Sequence, residues 1–133
     1  MQSKKVYSAL VFTLLSLTGC SNPFGGAYSC PAVITPAIVV EIRNARTGAP
    51  LASGAKGAVH DGSYVDSLIP YEGIGLDPTT LISRRAADER PGTYAVEVNH
   101  PGYRTWSVGG VRAVAGKCGV STHRISASLE PTP

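Results

Sequence analysis

Three cysteines, three histidines and one run of mixed charge hold most of the chemistry open to this sequence. His60, His100 and His123 fall in different segments, with no His-x-His or HExxH spacing that would gather them round a metal. His60 with Asp61 and Asp66, in "VHDGSYVD", offers the nearest thing to a metal set, although the stretch reads more simply as a polar turn. His100 sits in a Pro-Gly turn as a solvated residue, and His123 falls on the apolar side of a strand, where a neighbouring carbonyl would satisfy its ring. No Gly-x-Ser-x-Gly elbow accompanies a His/Asp pair, so no catalytic residue, metal or cofactor is expected. Arg84-Arg85 with Asp88-Glu89-Arg90 reads as a self-balancing solvated loop. Aromatic residues are sparse, and Trp106, the single tryptophan, is expected to pack on the edge of the fold. Tyr64 and Tyr71, with several glycines between Asp61 and Leu76, supply the most spare aromatic surface and are the candidate binding residues.

The cysteines say more. Cys20 closes an apolar run from Val6 to Leu17 that follows Lys4 and Lys5, which is the order of a secretory signal. That run is too short for a bilayer-spanning helix, which needs about 20 residues. Leu17-Thr18-Gly19-Cys20 resembles the lipobox of bacterial lipoproteins, in which the thiol receives a diacylglycerol and the new amino terminus is acylated, commonly with palmitate. The resemblance implies a signal peptide over 1–19, a lipidated spacer over 20–30 and a folded domain over 31–133. Ordinary signal cleavage is the alternative. Two or three acyl chains would hold a small body firmly at a membrane, whereas one would not. Ser21 after the cysteine implies, for a host with two membranes, passage to the outer one.

With Lys4 and Lys5 removed, the twelve Lys and Arg fall to ten, against nine Asp and Glu. Such a balance gives no basic patch for nucleic acid. Cys30 and Cys118 then remain as an even pair in an exported protein, which reads as one disulfide, with two free thiols or a bond to another chain as alternatives.

The elements that must position these residues are strands. In "AIVVEIRNA", Ile38, Val40 and Ile42 alternate with Val39, Glu41 and Arg43, and in "TYAVEVN", Tyr94, Val96 and Val98 alternate with Ala95 and Glu97. "YRTWSV" and "GVRAVAG" follow, and the last strand sets His123, Ile125, Ala127 and Leu129 on one side. Turn signals recur at the spacing of a β-sandwich. Residues 61–90 are the weak segment, expected to be a long loop with one strand near Thr80 to Arg84.

"VVEIRNARTGAPLA", "ERPGTYAVEVNHPGYRTW" and "CGVSTHRISASLEP" together resemble the carboxypeptidase regulatory-like, transthyretin-related domain of small bacterial lipoproteins. The resemblance implies an antiparallel, Ig-like or transthyretin-like sandwich of about seven strands with Greek-key order. It also implies a non-enzymatic structural or interaction module, held at the cell envelope by its lipid and meeting envelope proteins or glycans. A carbohydrate-binding module is one alternative. A small hydrolase is another, since transthyretin relatives include 5-hydroxyisourate hydrolases, but those end in Tyr-Arg-Gly-Ser and this chain ends "SLEPTP".

Overall fold

The structure is a computed structural model that describes residues 29–71 and 81–133. Cys20, the signal segment and residues 72–76 of the expected contact stretch lie outside the described residues. The described chain forms ten strands: β1 (Pro36–Asn44), β2 (Lys56–Asp61), β3 (Tyr64–Ser67), β4 (Ile69–Pro70), β5 (Ser83–Asp88), β6 (Gly92–Asn99), β7 (Trp106–Ala113), β8 (Ala115–Gly116), β9 (Gly119–Val120) and β10 (His123–Leu129). One sheet has the order β10-β1-β5-β4 and the other β3-β2-β6-β7, while β8 and β9 make a small ribbon. The fold is the all-β sandwich that the alternating pattern predicts, with eight strands in its two main sheets.

The inner faces follow from side-chain alternation. Ile38, Val40 and Ile42 of β1 pack against Val59 of β2 and Tyr94, Val96 and Val98 of β6 in one core, and all seven are fully buried. Burying each contributes about 1.5–3 kcal/mol, and β-branched side chains suit the pleated surface. In β10 the registers Val40↔Ile125 and Ile42↔Ala127 put Ile125, Ala127 and Leu129 on the core side, as the sequence predicts. Trp106 and Tyr103 pack against the same core at its edge, and the Tyr103 hydroxyl accepts a 2.9 Å hydrogen bond from Asn44 Nδ2.

Three expectations are corrected. The segment 61–90 is not one long loop: β2 and β3 form a hairpin across Gly62 and Ser63, with Gly62 at φ 59°, and β4 and β5 follow. A left-handed residue at the first turn position is cheap only for glycine. The charged run beginning at Arg84 is not a solvated loop either, because β5 lies between β1 and β4. Alternation turns Arg84 towards the core side beside Val40, where its Nε donates to the carbonyl of Ala52 at 2.7 Å and its Nη1 to that of Leu68 at 3.0 Å. Finally, one pairing is parallel, that of β1 with β10. Parallel neighbours need a long connection, and here it is the rest of the domain.

Candidate functional site

A dense polar cluster lies at the end of the sandwich where β1 begins, between the tip of the β2–β3 hairpin and the corner joining β5 to β6. Arg90 is its centre. Arg90 Nη1 donates to Asp61 Oδ2 at 2.7 Å and to the Tyr94 hydroxyl at 3.0 Å. That hydroxyl in turn donates to the carbonyl of Arg90 at 2.6 Å. The guanidinium also lies 3.9 Å from the centre of the Tyr64 ring, a cation–π contact, and the Tyr64 and Tyr94 rings meet edge-on at 6.3 Å. Hydrogen bonds from Arg90 to Asp61 and Tyr94 raise the pKa of the guanidinium further. Burial, then the charge of Asp66, raises that of the Tyr64 phenol.

A tyrosine near the start of a strand that bonds back to the chain four residues earlier is the tyrosine corner known from β-sandwiches. Pro91-Gly92-Thr93-Tyr94 carried its signal in the sequence: a proline and a glycine that turn the chain, then an aromatic on the core side of the strand. Sequence reasoning missed this role of Tyr94, together with those of Arg90 and Asp61.

The corner is fastened on its other side as well. Ala87 and Glu89 both hold left-handed backbone, with φ of 58° and 56°, which is costly for residues other than glycine. Asp66 Oδ2 accepts from the amide of Ala87 at 2.8 Å, and the amide of Glu89 donates to the carbonyl of Thr35 at 2.9 Å. The carboxylate of Glu89 accepts from the Thr35 amide and lies against Gly119, where an added Cβ would collide with Glu89 Oε2. Cys30 and Cys118 are bonded beside this ribbon, so the chain entering the domain is tied to the same end.

The residues singled out by type are not gathered into one site. Asp61 and Asp66 stand on the core side of the β2–β3 hairpin, in register with Tyr64 and Val59, whereas His60 alternates to the outer side. His100 packs edge-on against Tyr103 at 4.9 Å in the loop at the far end, and its Nδ1 lies 2.8 Å from the carbonyl of Pro101. His123 has the core-side parity expected of it but is exposed at the strand's start, with Nδ1 2.8 Å from the carbonyl of Arg112. Among the described residues no group of three or more His, Cys, Asp or Glu could hold a metal ion. Tyr64 and Tyr71 are also apart. Tyr64 belongs to the Arg90 cluster, while the half-buried Tyr71 follows β4 in the other sheet, with Arg124 5.7 Å from its ring. Near Arg124, a cavity of about 90 Å³ opens on the outer face of that sheet, lined by Val39, Glu41, Ser83 and Arg124 among others.

A scan of the chain against models of known protein families finds no match, and a search of the curated proteins finds none either.

Proposed function

We propose that the chain is a lipid-anchored, non-enzymatic module of a bacterial cell envelope, built on a carboxypeptidase regulatory-like domain and serving as a structural or interaction element. The observation that carries this reading is where the disulfide lies. Cys20, the lipobox cysteine, is ten residues before Cys30, and Cys30 is bonded to Cys118 at one end of the sandwich. A lipid on Cys20 would therefore hold a rigid body by that end and leave the loops of the other end, around Asn44–Pro50 and His100–Thr105, turned towards the envelope. Loops on a rigid scaffold are where such domains do their recognising. The groups of the Arg90 cluster support the non-enzymatic part, because Asp61, Asp66, Arg90 and Tyr94 are engaged with one another or with backbone. Tyr64 belongs to that fastening, which leaves Tyr71 as the better contact residue of the two.

Replacing Cys20 by Ser tests the anchor. The wild-type chain is expected in the detergent phase with the membranes, and the Cys20→Ser chain in the aqueous phase or unprocessed. Unchanged partitioning and processing would overturn the reading. Turnover of 5-hydroxyisourate or of an ester, lost on changing His60 or His123, would overturn its non-enzymatic part.

A further inference from the structure

We propose that the disulfide-bearing end of the sandwich is a membrane-docking surface, which the lipid surface itself covers; the proposal rests on the lipid-anchor reading above. Three of the six large apolar side chains that are exposed among the described residues lie there, in the segments that flank the disulfide, while Val65, Ile69 and Val108 stand singly on strands elsewhere. Ile34 is 69% exposed, Val33 63% and Val114 45%, although core space would be the ordinary place for all three. Val33 and Ile34 lie between Cys30 and the start of β1, and Val114 lies between β7 and the ribbon that carries Cys118. Exposed apolar side chains grouped at one end mark a contact with something apolar.

Tether length selects the occupant. Ten residues separate Cys20 from Cys30, and a chain of that length reaches about 35 Å at most. A sandwich whose longest strand has nine residues is about 30 Å long. The disulfide holds Cys30 to this end, so an acylated Cys20 would attach the bilayer on the side of Val33, Ile34 and Val114, and the loops at the far end lie a full strand length further along the body.

The charges at this end suit a headgroup layer. Asp61 is paired with Arg90 and Asp88 with Arg85, so each of these two carboxylates has a cation beside it, and Glu89 accepts from the Thr35 amide. Arg112 is exposed on β7 and lines an open cleft of about 300 Å³ with Pro91, Thr93 and Val114, room for a phosphate of an anionic lipid beside an apolar side chain. Basic groups beside an interface add attraction to anionic lipids.

The test uses the full lipidated protein in vesicles of phosphatidylethanolamine and phosphatidylglycerol with brominated acyl chains, which quench only indoles that reach them. Trp106, at the far end of β7, is the internal control, and Trp106→Phe/Val114→Trp and Trp106→Phe/Ile34→Trp move the single indole to the docking end. Both variants are expected to lose about half their emission on brominated vesicles while the wild type keeps its own. The exposure of positions 34 and 114 lets either variant fold, and one suffices. Protein that sediments with the vesicles but whose moved indoles are not quenched overturns docking and leaves the anchor standing. Protein that does not sediment overturns the anchor as well. Moved indoles that shift to the blue without quenching, in a protein that cross-links to itself, would show a second copy on this surface and also overturn the proposal.

Discussion

Tyr94 and Arg90 are joined twice: the tyrosine hydroxyl donates to the Arg90 carbonyl at 2.6 Å and accepts from Arg90 Nη1 at 3.0 Å. One buried ring thus closes the corner between the two sheets from the core side while its hydroxyl organises the polar cluster outside it.

Tyr94→Phe keeps the ring and removes both hydrogen bonds, leaving the Arg90 carbonyl without its donor. A loss of about 1–3 kcal/mol in denaturant unfolding is expected. Tyr94→Ala should cost more, about 3–5 kcal/mol, because it also opens a cavity. Equal losses for the two would show that the hydroxyl, and not the ring, carries the site.

Arg84 and Arg85 are neighbours with opposite fates. Arg84 caps the carbonyls of Ala52 and Leu68, whereas Arg85 pairs with Asp88 near the surface. Arg84→Met should cost about 1–3 kcal/mol by stranding two acceptors. Arg85→Met should cost at most about 1 kcal/mol, as partly exposed ion pairs do. The same unfolding measurement on both variants checks the contrast, and a reversed order would contradict the placement of Arg84.

Tyr64 gives the domain a pH signature. Burial first, and Asp66 next, hold its phenol above the ordinary value of 10.0, with Arg90 opposing. A phenol that ionises more easily unfolded than folded contributes stability that is complete below about pH 10 and lost as pH rises through the folded value. Stability should therefore fall with pH in that alkaline window, and Tyr64→Phe should flatten the fall. Superimposable pH profiles for the two proteins would count against this placement of the half-buried phenol.

The bond between Cys30 and Cys118 closes a loop with a sequence separation of 88. Cys30→Ser/Cys118→Ser, or added reductant, should lower stability by about 4–5 kcal/mol on the chain-entropy account. Thermal melting with and without reductant measures it, and alkylation of both thiols in the unreduced protein would contradict the bond.

Local pattern alone determined the class of this fold. Ile38, Val40 and Ile42, like Tyr94, Val96 and Val98, alternate strictly, and a strand with one buried face admits no other arrangement. The pairing of Cys30 with Cys118 was legible by counting if Cys20 is set aside as the expected lipid site, although two free thiols or a bond to another chain remained open until the two sulfurs were seen bonded. What the sequence did not show depends on partners distant along the chain. Nothing within Arg84-Arg85 says that one side chain will reach the carbonyls of Ala52 and Leu68 while the other meets Asp88, because the β1–β5 and β4–β5 pairings fix which way each turns. The parallel pairing of β1 with β10 joins residues more than eighty apart and leaves no local trace. The Arg90 cluster likewise draws Asp61, Tyr64, Arg90 and Tyr94 from three strands of one sheet and the corner that leads into it, and the β2–β6 pairing is what sets the hairpin tip beside that corner.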